Sequence, residues 1–318
     1  MALNLTGFCP RQKGLLGVEK ATLAYTLATA IVACLLWHRM TAPWALMHGR
    51  ALVIVGMAVA IAIYRVAPCR ATLLLRYFFP LSLLAYWYPD TYEFCQLFPY
   101  LDHYFATADL LLFGCQPSLA FSEVMPGKLW SELFNMGYFA YYPMIALTVL
   151  TPLFTRPERF GRTAFIILAS FFLYYAIYLF LPVAGPQYYF RAIGIEAAQN
   201  GVFIHVGDYF RTHTEMLPSP GPEGFFRHLV ESAQASGERP TAAFPSSHVG
   251  MSTILMLILR REQRTLMWGL APFYVLLCCA TVYIEAHYFV DVVGGLLTAF
   301  AFFFATDRLY PHVERIKL

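Results

Sequence analysis

Apolar runs close to the ~20 residues needed to cross the hydrocarbon of a bilayer limit this chain more than any other feature. They lie at 21–37, 51–66, 71–88, 133–154, 163–183, 246–260, 266–285 and 287–306. Charged residues make up 13% of the chain, against about 25% in a soluble domain. Together these point to an all-α, polytopic bundle of about eight transmembrane helices. The N-terminus reads as no cleavable signal. A rather polar stretch with Arg11, Lys13 and Lys20 precedes the first run, and no small-residue cleavage site follows it, so that run is expected to stay as a span. Residues 1–66 then form N-terminal accessory spans, and residues 67–318 a membrane-embedded core that includes the long connection 184–244.

The connections alternate in charge. Arg65, Arg70 and Arg76 lie around the turn after the second run. Arg156, Arg159 and Arg162 follow the fourth, and Arg260, Arg261 and Arg264 follow the sixth. The tail carries Arg308, Arg315 and Lys317. Short basic connections face the cytoplasm, so both termini are expected inside. Arg39 and Arg50, in the first outer turn, fit this pattern poorly. The outward connections are acidic or long. Residues 89–130 hold Asp90, Glu93, Asp102, Asp109 and Glu123 against Lys128. Within them, 92–125 suggests surface-lying or re-entrant pieces. Residues 184–244 are rich in Gly and Pro (LPSPGPEG). A connection of that length is usually functional or disordered, and its place directly before the chemical motif favours function. The seven Cys show no metal-type spacing, so neither metal nor cofactor is expected. Cys95 and Cys115 share a segment but are read as unrelated thiols. The net charge of +3 gives no argument for nucleic acid.

Two motifs carry chemistry. RPTAAFPSSHVG runs from Arg239 to Gly250 and opens an apolar run. Pro245 suits a first helical turn, where its missing N–H is harmless. The amides of Ser246, Ser247 and His248 would then project from a helix start, where amide donors and the helix dipole hold phosphate. A capped span with an interfacial His fits the same residues. HYFVDVVGG places His287 and Asp291 four apart, on one helical face. A carboxylate bonded to one ring nitrogen leaves the other free and more nucleophilic. Ionisable residues inside spans are functional by default, although a structural His–Asp pair remains open. Gly294 and Gly295 are small enough for close helix approach. The alternation of connections puts both His residues, and the end of the fifth run at PVAGPQYY, on the outer face.

PSSH followed by H-x-x-x-D resembles the type 2 phosphatidic acid phosphatase superfamily. The resemblance covers roughly residues 165–305. It implies a helical core with His287 as nucleophile and a phosphohistidine intermediate, Asp291 as its orienter, and His248 as general acid. Two positions depart from the phosphatase pattern. Thr281 stands where an Arg is usual, and PVAGPQYY, with Gln187, stands where a Lys-x6-Arg-Pro motif is usual. AFPSSHVG and HYFVDVVGG are most similar to the inositol phosphorylceramide synthase (aureobasidin-target) branch. That implies transfer of a phospho-head-group from a phospholipid to a ceramide-like lipid alcohol. Water as acceptor would make a lipid phosphatase, and a non-catalytic lipid-binding or transport protein is the third class.

A phosphoryl group needs donors around its oxygens. Ser246, Ser247, Gly250, Gln187 and Arg239 are the candidates. Arg191, Arg211 and Lys128 are alternative cations. His205 and His213 are read as solvent-facing, and the aromatic clusters as span packing and interfacial belts or as a lipid-tail groove.

Overall fold

The computed structural model describes residues 14–314. Arg11, Lys13, Arg315 and Lys317, counted above for topology, lie outside the described residues. No strand occurs among the described residues. Helices α1 (Gly17–Leu35) and α2 (Pro43–Val66) come first. They are followed by α3 (Arg70–Ser82), α4 (Leu84–Cys95), α5 (Asp102–Phe113) and α6 (Pro117–Val124). Next come α7 (Lys128–Phe139), α8 (Tyr141–Thr155) and α9 (Pro157–Tyr178). The long connection 184–244 folds as α10 (Pro186–Ile193), α11 (Ile195–Gln199) and α12 (Phe225–Gly237). The chain closes with α13 (Ser247–Glu262), α14 (Arg264–Tyr283) and α15 (Phe289–Val313).

Local chemistry sets these boundaries. Pro43, Pro117, Pro157 and Pro186 each open a helix at its first position, where a missing amide hydrogen removes no intrahelical bond. Gly114 ends α5 in the left-handed conformation, φ 69°, which favours Gly at a helix C-terminus. Pro80 lies in α3 just before the break at Leu83.

Among the described residues, six stretches are long and apolar enough to cross a membrane: α1, α2, α7 with α8, α9, α14 and α15. They match six of the eight expected runs. The run 71–88 is divided between α3 and α4, of 13 and 12 residues. The run 246–260 forms α13, whose 16 residues give about 24 Å at 1.5 Å per residue. A short helix suffices there because α13 touches protein on several sides, packing on α8, α9, α14 and α15. α9 is the other enclosed element, packed against α1, α4, α8, α13 and α15. The lipid-facing surfaces are apolar. Leu27, Ile31 and Leu35 on α1, and Leu297, Phe300 and Phe304 on α15, are all exposed. A soluble protein rarely carries contiguous apolar patches of this kind, so this is an integral membrane protein.

Two arginines counted as loop charges are not loop charges. Arg50, in α2, is buried and bonds both carboxylate oxygens of Asp90 on α4, at 3.2 and 2.9 Å. This removes Arg50 from the misfit in the first turn and leaves Arg39, which is exposed and donates to the Leu97 carbonyl at 2.7 Å. Arg76, in α3, is likewise buried against Glu19 of α1, with both contacts at 2.7 Å, beneath the Tyr64 ring. One group of exposed arginines collects at one end of the bundle. Arg159 bonds Glu262 at 2.8 Å. Arg162 and Arg261 share Asp307, each at 2.7 Å. At the same end the Gly17 amide donates to Glu314. Cys95 and Cys115 are free thiols, and Cys95 donates to the Tyr178 carbonyl.

The long connection is ordered over a small core, shared with α5 and α6, in which Tyr188, Tyr189, Phe190 and Phe210 are buried. It covers the end of the bundle opposite the arginines, where α13 and α15 begin. Within the acidic stretch, α5 and α6, at 12 and 8 residues, are too short to span, as the re-entrant or surface reading requires.

Candidate active site

Helix α13 starts one residue later than the motif suggests. Ser246 is the N-cap, its hydroxyl accepting from the Val249 amide at 3.3 Å. Pro245 precedes the cap, and its carbonyl accepts from the Tyr178 hydroxyl at 2.7 Å. The Ser246 amide donates to the Asp291 carbonyl at 3.0 Å, which ties α13 to α15. The same crossing explains two glycines. A Cβ on Gly250 would strike the Tyr174 hydroxyl, and one on Gly295 would sit 2.5 Å from the Ser246 carbonyl oxygen. Ser246 and Gly250 therefore lie in the helix–helix contact, while Ser247 and His248 line a cavity.

His248 is held between aromatic rings. Tyr138 stacks on it and Tyr141 tilts against it, each with centroids 4.6 Å apart. The His287 ring lies 5.8 Å away, near enough for one phosphate to touch both imidazoles. His287 sits in the turn between α14 and α15. Its Nδ1 is 2.9 Å from the Ala243 carbonyl oxygen. A carbonyl only accepts, so the proton is on Nδ1 and Nε2 keeps its lone pair. Asp291 Oδ2 lies 3.5 Å from the same Nδ1 and accepts from the Tyr288 amide at 2.9 Å. Orientation of His287 thus falls first to a main-chain carbonyl, with Asp291 adding charge behind it. Burial pushes the His287 pKa down to about 4, so the imidazole is neutral near pH 7. Two residues beside this bond are strained. Ala242 (φ 68°) and Glu285 (φ 64°) both occupy the left-handed region, which costs a non-glycine residue about 1–3 kcal/mol and is found at sites held by surrounding structure.

Helix α5 supplies two carboxylates that sequence assigned only to an acidic loop. Asp102 accepts from the Ala184 and Gly185 amides at 2.9 and 2.8 Å, and from the Tyr288 hydroxyl at 3.1 Å. Asp109 accepts from the Phe289 and Val290 amides at 2.7 and 3.1 Å, at the start of α15. Burial raises the Asp102 pKa to about 6. These bonds fix the loop and helix start that carry His287. Four of their five donors are main-chain amides, which leave no residue-type signal in a sequence.

The cavity, about 20 Å³ in volume, is lined by Ser247, His248, His287 and Gln187 together with residues that sequence reasoning passed over: Tyr88, Tyr138, Tyr188, Gln234 and Glu238. Among the described residues, no Lys or Arg lines it. Arg239 is half-buried and bonds the main-chain oxygen of Glu238 at 2.8 Å. Arg191 and Lys128 are exposed, and the exposed Arg211 bonds the Gln96 carbonyl. His213, also exposed, stacks on Tyr209, and His205 is exposed near His103. Thr281 is buried. Its hydroxyl donates to the Cys278 carbonyl at 2.8 Å, and its own carbonyl receives the His287 amide at 2.9 Å.

The PAP2 superfamily model matches residues 111–305, a range that contains both His residues and the cavity's α10 and α12 residues. A curated relative, the inositol phosphorylceramide synthase catalytic subunit aur1 of Schizosaccharomyces pombe, is 28% identical over 134 residues. That match spans 42% of this chain and 30% of the relative's length. No solved structure matches the chain.

Proposed function

The chain belongs to the PAP2 superfamily, and on that premise we propose that it is an integral membrane lipid phosphotransferase working through a phosphohistidine at His287. One observation carries the reading. His287 has Nδ1 tied to the Ala243 carbonyl, with Nε2 left free beside His248, in a cavity that no Lys or Arg among the described residues lines. In the first step Nε2 attacks phosphorus and an N–P bond forms. The P–O bond to the diacylglycerol oxygen breaks, and His248 gives that oxygen a proton. In the second step a lipid alcohol, ceramide-like in class, gives its proton to His248 and attacks phosphorus, and the N–P bond breaks.

The missing base bears on the donor. A phosphomonoester brings about two negative charges and needs fixed cations to hold them; a phosphodiester brings one. A cavity with Ser247, Gln187 and a helix start but no lining cation suits the diester. This favours head-group transfer over hydrolysis of a phosphate monoester. Arg239, one residue from the cavity-lining Glu238, is the proposed distant source of positive potential. Ser247 is the proposed phosphate donor, with Ser246 and Gly250 shaping the helix start that carries it; Gln187, whose side-chain amide is engaged by the Leu217 carbonyl and by Gln234, lines the opposite wall. The short basic connections, gathered at the opposite end, support a site on the outer (periplasmic or lumenal) face with both termini cytoplasmic. Residues 1–66 are proposed as accessory spans and 67–318 as the catalytic core.

The test is incubation of purified protein with labelled phospholipid, with and without ceramide or diacylglycerol. Acid-labile phosphate should appear on the wild-type chain. Labelled head group should move to the lipid alcohol, and His287→Ala should abolish both. Free phosphorylated head group, or inorganic phosphate from a phosphomonoester donor, as the sole product would replace transfer by hydrolysis. Absence of any phosphoenzyme together with full turnover in His287→Ala would end the covalent mechanism.

A further inference from the structure

The wall of the cavity away from the two His residues has a definite hydrogen-bond polarity. Gln187 Nε2 donates to the Leu217 carbonyl at 3.2 Å. A carbonyl cannot donate, so the nitrogen of that amide must face Leu217 and its Oε1 must face Gln234. Gln234 Nε2 donates to that oxygen at 3.1 Å. One main-chain carbonyl thereby fixes both amides in sequence and leaves Gln234 Oε1 without a partner among the described residues. Glu238 is arranged similarly. Its Oε2 accepts from the Tyr88 hydroxyl at 2.6 Å, and its Oε1 has no partner. Neither free oxygen is among the atoms sealed inside the protein, and both residues line the cavity. The wall therefore offers acceptors, while the donors that face phosphate lie at the other side, around Ser247.

We propose that this wall, Glu238 with Gln234, reads the head group of the donor lipid and selects head groups that donate hydrogen bonds, either the hydroxyls of a polyol or the N–H of a primary ammonium. This rests on the reading that the cavity holds the phospho-head-group next to His287. A trimethylammonium group satisfies the charge of Glu238 but has no hydrogen to give. It leaves both oxygens unpaired in a partly desolvated site, which is how a polar site rejects an analogue lacking the matching group. The polyol and the amine share one chemistry here, and binding separates them.

The experiment is equilibrium binding of three deacylated donors to the full chain in nanodiscs: glycerophosphoinositol, glycerophosphoethanolamine and glycerophosphocholine. One or both of the first two should bind at least about 10-fold more tightly than the third, and whichever does so identifies the source. Glu238→Gln keeps the shape but turns the cavity-facing acceptor into a donor. It should shrink that preference to under about threefold. Gln234→Leu should do the same, and if it fails to fold, Glu238→Gln alone decides. Glycerophosphocholine binding as tightly as the others, or a preference that survives intact in Glu238→Gln, overturns the proposal. Binding needs no turnover. An absence of phosphoenzyme would therefore remove the proposed reaction and leave this preference standing, and equal binding would do the reverse.

Discussion

In the N-terminal helices, buried charge is met by opposite charge. Arg76 takes both oxygens of Glu19, and Arg50 both oxygens of Asp90. Where α15 begins, buried carboxylates are met by main-chain amides instead. Asp102, Asp109 and Asp291 together accept from the amides of Ala184, Gly185, Tyr288, Phe289 and Val290. An ion pair between helices acts as a weld, and its geometry matters little beyond holding the helices together. A carboxylate on amides fixes the path of the backbone, and here that backbone carries His287. No Lys or Arg lines the cavity among the described residues, so a phosphate bound as proposed would meet hydroxyls and imidazoles. The two regions should therefore fail differently when their acids or bases are changed.

The largest effect is expected at Asp291→Asn. The neutral amide keeps the shape but removes the charge 3.5 Å from His287 Nδ1, and a change of that kind behind a catalytic His costs on the order of 10³–10⁴ in rate. The thermal unfolding midpoint should move little. Wild-type turnover in this variant would remove Asp291 from the mechanism. Arg76→Ala should show the opposite pattern. It strands Glu19 in a buried position, at a cost of about 3–5 kcal/mol, read as a lower unfolding midpoint in detergent. The specific activity of the protein that remains folded should be unchanged. A loss of turnover per folded molecule would mean that the N-terminal helices act on the site and are more than scaffold.

Sequence reasoning reached different depths in these regions. The helical membrane bundle was legible because missing charge and run length are direct consequences of the bilayer as solvent. His248, His287 and Asp291 were legible because ionisable side chains at the mouths of apolar helices stand out. The run 71–88 was legible as apolar, but its division into α3 and α4 at Leu83 was not, because Pro80 gives no measure of where the helix is interrupted. Arg50 and Arg76 were misread as loop charges because a buried partner 40 or 57 residues away has no local signature. Ala243 was invisible in principle, since it acts through its carbonyl. Asp102, Asp109, Gln234 and Glu238 were in plain view as residues, but only the folding of α5 and α12 onto the site gives them a role.

Asp102→Asn is the smallest of the three effects and separates the two regions most finely. Its amide can replace one of the carboxylate's acceptors but not all three bonds, so kcat should fall about 10-fold, the scale of one hydrogen bond to a charged group, with little change in KM. The pH dependence carries the finer test. Burial raises the Asp102 pKa from 3.8 to about 6, so protonation below that point removes an acceptor from the Ala184, Gly185 and Tyr288 bonds. Wild-type kcat should decline as pH drops through about 6, and this limb should be missing from the variant. The contribution to stability has the opposite sign. A carboxyl whose pKa is higher in the folded state favours folding below 3.8, and loses that contribution as pH rises through about 6. Acidification from pH 7 to 5 should therefore lower turnover without lowering the unfolding midpoint on account of this group. If turnover and midpoint fall together, and do so equally in Asp102→Asn, then α5 is a weld like the N-terminal ion pairs and does not set the position of His287.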